Sequence, residues 1–236
     1  MEECISVFDM LKIGVGPSSS HTLGPWRAAE RFLEELRQDF DLNSITRVKV
    51  DLYGSLSLTG KGHATDLAVM LGLSGQDPEY IPVQDIDGII KAIENNHLIQ
   101  LGNEKALPFY ILQDIVFHKE FLPFHANGLT FTAFFENETE YASTFYSIGG
   151  GFVVKEERSN AKKKIAIKCA FPFPINNAAE LLDYTQKENK SISEIVYANE
   201  ISMRPEAEVH SELLRIWHTM LECMYIGCHS EGILPG

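Results

Sequence analysis

The chain is poor in cysteine, in basic residues and in long apolar runs, and each shortage removes a class of function. Its 236 residues hold only four cysteines, Cys4, Cys169, Cys223 and Cys228. Thiols so few and so scattered do not make a disulfide framework, and they suit a reducing cytoplasm. They do not make a metal site by spacing either. Cys223 and Cys228 are five apart, which turns a helix by about 500°, or about 140° net, whereas an iron–sulfur cluster needs three or four placed thiolates. Lys and Arg number 20 against 33 Asp and Glu, a formal net charge of −13. Without a basic patch no counterion release drives nucleic-acid binding, and an anionic membrane surface repels the chain. No run approaches the roughly 20 apolar residues of a membrane span. The start, Met1-Glu2-Glu3-Cys4, lacks the basic and apolar regions of a secretory signal. These absences point to a cytoplasmic protein with no nucleic-acid or membrane partner. A small zwitterion is not repelled.

What is present is a core-forming composition, 44% hydrophobic and 22% charged, sufficient for one large domain or two small ones. Trp26, Ala29, Leu33, Leu36 and Phe40 recur at helical steps, predicting an amphipathic helix over 22–40. Val48, Val50 and Leu52 alternate with polar residues, predicting a strand over 47–53. The glycine- and hydroxyl-rich stretch 54–62 reads as an irregular loop, followed by a short helix from Ala64. Asp85 or Asp87 caps a further helix ending at Asn95 or Asn96. Aromatic and β-branched residues predict strands over 112–117, 129–135, 140–147 and 151–154, with Asn127-Gly128 as a hairpin-type turn. The charged stretch 156–164 reads as an exposed turn and 165–169 as one more strand. Helices follow over 178–188, 193–201 and 206–226. The expected class is α+β: a mixed sheet with helices packed on it, then an all-helical C-terminal segment. The expected division is a β domain over 1–160, a linker over 161–175 and helices over 176–236. Leu213, Trp217, Met220 and Met224 form a stripe that reads as intrachain core, with a homodimer seam as the alternative.

Chemistry-bearing residues gather in a few loops. Gly16-Pro17-Ser18-Ser19-Ser20-His21-Thr22 precedes the first long helix. Free N–H groups at a helix start, with hydroxyls beside them, suit a carboxylate or phosphate. Plain helix capping is the competing reading, although capping needs one hydroxyl residue and this loop has four. Tyr53 to Asp66 carries Gly54, Ser55, Thr59, Gly60, Lys61 and His63 between a strand and a helix. Its glycines allow close backbone approach to a ligand, but the phosphate-loop spacing is absent. His63 and Asp66 are three apart, so one is placed to orient the other. His125 stands before Asn127-Gly128, in a setting that also fits a bland surface turn. Gly149-Gly150-Gly151 marks a bulge or tight bend.

Taken together and in this order, these segments resemble the bacterial iron–sulfur-dependent L-serine dehydratases. The resemblance rests on Val7-Phe8-Asp9-Met10 with Gly16 to Thr22, on Tyr53 to His63, on His125-Asn127-Gly128, on Tyr146 to Gly151, and on Glu231 to Gly236. It covers nearly the whole chain. It implies a β domain resembling the allosteric substrate-binding domain of some phosphoglycerate dehydrogenases, then the first helices of a catalytic α domain. The implied activity is L-serine ammonia-lyase, removing water from L-serine to give pyruvate and ammonia. The implied cofactor is a 4Fe-4S cluster whose cysteines lie beyond the Leu234-Pro235-Gly236 motif, so the resemblance implies a fragment and no metal ligand within this chain. An open iron site acts as Lewis acid toward the substrate, and a histidine takes the α-proton. His21, His63 and His125 are the implied catalytic groups, lining a site at the face between the domains, and which of them is the base stays open. Ser18, Ser19, Ser20, Thr22, Ser55, Thr59, Gly60, Lys61, Asn127, Gly149 and Gly150 are the implied substrate-binding residues. A homodimer is expected. The alternative function is a non-catalytic module that binds a small amino acid for regulation.

Overall fold

A computed structural model describes residues 5–16, 18–156 and 171–232. Along it run α1 (Val7–Met10), α2 (Gly24–Asp39), β1 (Ile45–Leu52), α3 (Ser55–Leu58), α4 (Thr65–Leu73), α5 (Val83–Asn96), β2 (Leu98–Leu101) and β3 (Lys105–Pro108). They continue as α6 (Ile111–Asp114), β4 (Ile115–Phe117), β5 (Gly128–Phe135), β6 (Glu140–Gly149), β7 (Phe152–Lys155), α7 (Ala178–Glu188), α8 (Ile192–Met203) and α9 (Glu206–His229). The chain divides into two compact units, Gly14–Asn160 and Met1–Ile13 with Ala161–Leu234. The first residues thus group with the C-terminal helices, whereas the sequence reading put them with the sheet. The strand expected over 165–169, nearly all of the charged stretch 156–164 and most of the linker lie outside the described residues.

The larger unit is built on an open five-stranded sheet of order β4-β1-β5-β6-β7, with β1 and β4 parallel and the other pairs antiparallel. Alternation does the sorting, because successive side chains leave opposite faces of a strand. Val48, Val50 and Leu52 of β1 and Leu129, Phe131 and Ala133 of β5 are wholly buried. Onto them α2 lays Phe32, Leu33 and Leu36, and the Phe32 ring stacks on Phe131 at 5.1 Å between centroids. Burying each such side chain contributes about 1.5–3 kcal/mol. A second helix, α4, packs beside α2. Gly72 permits that approach, since a Cβ there would lie 2.7 Å from the Ala29 Cβ. Trp26, fully buried, donates its Nε1–H to the Gln76 carbonyl at 2.7 Å.

Several elements differ from the sequence reading. Residues 54–62 are not an irregular loop: α3 and a 3-10 turn over Gly60–His63 follow β1 directly. Gly54 makes the junction possible, with φ 55° and the Ala126 carbonyl so close that a Cβ would lie 2.3 Å from it. The fourth helix of this unit, α5, begins at Val83 with Pro82 in extended conformation at its N-cap, so Asp85 and Asp87 stand inside the helix rather than capping it. The segment 112–117 opens as the helical turn α6 and becomes a strand only at Ile115. Asp114, buried, holds that turn by accepting from the Tyr110 N–H and the Arg47 Nε–H, each at 2.6 Å. The β2–β3 hairpin was not anticipated, since four-residue strands are too short for a periodic signal. Its Gly102-Asn103 turn, both at positive φ, suits a tight hairpin.

In the second unit, α7, α8 and α9 follow one another as expected. Glu200, buried, accepts from the Ser6 hydroxyl and the Val7 N–H at 2.7 Å and from Arg204 at 2.8 Å, tying α1 to α8. The apolar stripe of α9 is not intrachain core. Trp217, Met220 and Met224 are 49%, 49% and 50% exposed, and Val209 is the buried residue of that helix among those described.

Candidate active site

Just before α2 the backbone makes one wide helical turn, Ser19–Leu23, closed by the Gly24 N–H on the Ser19 carbonyl. Such i→i+5 turns are uncommon and concentrate at functional positions. Regular helix starts only at Gly24, two residues later than the periodicity suggested. Ser18, at the head of the turn, makes no side-chain capping bond. The serine-rich loop is therefore not explained by capping.

Its polar groups converge on one imidazole instead. The Ser20 hydroxyl lies 2.9 Å from His21 Nδ1, and Ser55, at the start of α3, lies 2.9 Å from His21 Nε2. A neutral imidazole has one donor and one acceptor nitrogen. One serine hydroxyl must therefore give a hydrogen bond to the ring and the other must receive one, making a hydroxyl–imidazole–hydroxyl chain. Ser18 extends it, with its hydroxyl 3.4 Å from that of Ser20. The His63 ring stands beside His21, 5.1 Å between centroids and tilted by 53°. Burial holds the His21 pKa below the ordinary 6.5, and the neighbouring His63 lowers it further, while a bond to the Ser55 backbone pulls it partly back. At neutral pH the His21 ring is uncharged and able to take up a proton.

The turn is anchored by three buried hydroxyls. Ser147 of β6 donates to the Ser20 carbonyl at 2.8 Å, Thr65 donates to the His21 carbonyl at 2.6 Å, and Thr22 donates to the His63 carbonyl at 2.9 Å. Gly24 leaves the room Ser147 needs, since a Cβ at that position would lie 1.9 Å from the serine oxygen.

The loop that carries the third histidine is joined to the start of α3 through the backbone. Gly54 and Ser55 donate their N–H groups to the Glu120 and Ala126 carbonyls, each at 2.8 Å, so the loop bearing His125 lies along the start of α3. His125 Nδ1 accepts from the Asn127 N–H at 3.1 Å. Asn127-Gly128 is not a hairpin turn. Asn127 is buried and pairs with Ser147 of β6, giving its side-chain amide to the Ser147 carbonyl at 3.1 Å and receiving the Ser147 N–H at 3.0 Å.

The remaining expected residues distribute as follows. Thr59 is exposed and donates to the Ser55 carbonyl at 3.0 Å. Gly60 is buried against Thr65, and the Lys61 side chain lies outside the described residues. Ser19 is exposed, and its carbonyl closes the wide turn. Gly149 and Gly150, at φ 99° and 59°, form the bulged β6–β7 turn just past Ser147. Ser147, Thr65 and Gly24 were not picked out as site residues from sequence. Lone hydroxyls and a helical glycine carry no periodic signal, and only a hydroxyl two residues before a glycine run hinted at Ser147.

Among the described residues no three His, Cys, Asp or Glu side chains gather to hold a metal ion, and Cys223 and Cys228 are exposed. These residues do not fit an iron–sulfur cluster.

A family described as "Serine dehydratase beta chain" matches residues 6–158. Among curated proteins, an "L-serine dehydratase" of Haemophilus influenzae is 40% identical over 234 residues, covering 98% of this chain and 51% of that protein. An "L-serine dehydratase" of Streptomyces coelicolor is 42% identical, with the same coverage of both chains. "L-serine dehydratase 1" of Escherichia coli is 40% identical over 233 residues, again 98% and 51%. The chain spans about half the length of the curated relatives it matches.

Proposed function

The chain belongs to the serine dehydratase beta chain family, and from that membership we propose that it supplies the serine-handling part of an L-serine ammonia-lyase. The observation that carries the reading is the hydroxyl-flanked His21 with His63 beside it, in a chain alike along its length to proteins named L-serine dehydratase. Ser18, Ser20 and Ser55 offer hydroxyls to the carboxylate and ammonium groups of the amino acid. The uncharged His21 imidazole, with the His63 ring beside it, takes the α-proton. Elimination then breaks the Cβ–O bond, and the proton taken from Cα can be returned to the departing hydroxide, so that water leaves and one imidazole serves first as base and then as acid. The aminoacrylate tautomerises to an imine, which water hydrolyses to pyruvate and ammonia. His125, one residue from the Ala126 carbonyl that binds Ser55, completes the set in this proposal.

The 4Fe-4S cluster that the resemblance implies has no ligand set among the described residues, and no step above is assigned to it. In this reading its ligands come from sequence outside this chain. The test is pyruvate release from L-serine by the protein in its complete native form, with iron content measured on the same preparation. Binding of L-serine without pyruvate would favour the regulatory module.

A further inference from the structure

Thr22 and Thr65 are tied to the opposite histidine segments by a crossed pair of bonds. Thr22 directly follows His21 and donates its hydroxyl to the carbonyl of His63, at 2.9 Å. Thr65 follows His63 by two residues and donates to the carbonyl of His21, at 2.6 Å. We propose that Thr22 and Thr65 are positioning residues which set the separation of the His21 and His63 rings, each acting through the main chain of the other's histidine. The inference rests on the lyase reading for its kinetic consequence, but not for its structural one.

The surroundings of both side chains favour this role over ligand binding. Thr22 is 3% exposed and Thr65 is fully buried, and each hydroxyl proton is already given to a carbonyl. A glycine makes room for each threonine. At Gly16, φ 109°, a Cβ would lie 2.3 Å from Thr22 Cγ2 and 2.9 Å from its hydroxyl, and at Gly60 a Cβ would lie 3.1 Å from the Thr65 hydroxyl. Gly16 and Gly60 are therefore accounted for by the threonines they admit. Between His63 and Thr65 stands Ala64 at φ 55° and ψ 37°. A left-handed conformation at a non-glycine residue costs of order 1–3 kcal/mol and persists where its surroundings over-determine it. Here the reversal lies between a ring and the hydroxyl that holds the other ring. His21 stands on the wide turn Ser19–Leu23 and His63 on the 3-10 turn Gly60–His63, so no shared helix or strand fixes this distance.

A hydroxyl that merely satisfies a buried carbonyl would have the same geometry, so the test separates the two roles. The variants are Thr65→Val, which keeps shape and loses the donor, and Thr65→Ser, which keeps the donor, with the same pair at Thr22. The first readout is proton cross-relaxation between the His21 and His63 rings by NMR on this chain, which requires no turnover. The proposal predicts loss of the ring-to-ring cross-peak in each valine variant, with folding retained by circular dichroism, and its return in each serine variant. In the active protein Thr65→Val should lower kcat by about 10²-fold, as ångström-scale misplacement of a reacting group does, with KM unchanged and kcat recovered in Thr65→Ser. A cross-peak that survives in both valine variants overturns the proposal. So does failure of serine to restore it, or unfolding of both valine variants, since the hydroxyls would then serve stability alone. If the wild-type protein releases no pyruvate, the lyase reading fails while the cross-peak still decides the positioning role.

Discussion

The imidazoles of His21 and His63 stand 5.1 Å apart between ring centroids, close enough that His63 opposes the charging of His21. Their segments are more than forty residues apart in sequence and are joined by hydroxyl-to-carbonyl bonds rather than by a shared helix or strand.

One consequence is a pH dependence. The folded-state pKa of His21 lies below its ordinary 6.5, through burial first and His63 second. The unfolded chain therefore binds this proton more readily than the folded one, so the contribution is present above 6.5 and is lost as pH falls below it. Thermal melts should show stability declining below pH 6.5, and His21→Asn should flatten that part of the profile. An unchanged slope in His21→Asn would assign the decline to other groups.

For turnover, replacing one member of the pair should remove proton transfer without removing the pocket. His63→Ala in the active protein is expected to lower kcat by about 10²-fold or more, measured as pyruvate release from L-serine. Wild-type turnover in that variant would take His63 out of the mechanism.

Two serines on β6 make opposite predictions. Ser147 is fully buried and holds the Ser20 carbonyl, so Ser147→Ala leaves that carbonyl unpaired and should cost about 1–3 kcal/mol in urea unfolding. Ser143 is also buried, but its hydroxyl has no partner among the described residues. Ser143→Ala should be neutral or stabilising, because it removes a desolvated polar group and no hydrogen bond.

Gly24→Ala tests the same anchor from the other side. The added methyl would lie 1.9 Å from the Ser147 oxygen, so either α2 or β6 must shift. The variant should lose at least as much stability as Ser147→Ala, and the double variant should lose less than the sum, since removing the oxygen relieves the tightest contact while the Cβ at 147, 2.7 Å from the methyl, still forces a shift.

The parts of this fold legible in sequence are those with a period. The α2 stripe from Trp26 to Leu36 and the alternation of Val48, Val50 and Leu52 gave helix and strand because burial enforces a repeat. The entry to α5 differs from the expected one because the helix takes Pro82, which makes no side-chain capping bond, as its N-cap, and the carboxylates nearby lie within its first turns. The α9 stripe had the period of a buried face and is nevertheless exposed, since a pattern states that cover is wanted and not what supplies it. At the site, the hydroxyl and glycine content of both motifs was visible, but its meaning was not. Thr22 read as a ligand contact, and its hydroxyl is given to the His63 carbonyl, whereas Ser147 and Thr65 stood unmarked because each is tied by one long-range bond.

The most direct test of the account is to follow the ring C–H resonances of the histidines in this chain while L-serine is added. The account predicts that the His21 and His63 signals move together and saturate, while those of His97, His210 and His218 stay in place. Resonances of His21 and His63 that remain still at saturating L-serine, or that move no more than the remote ones, would contradict it.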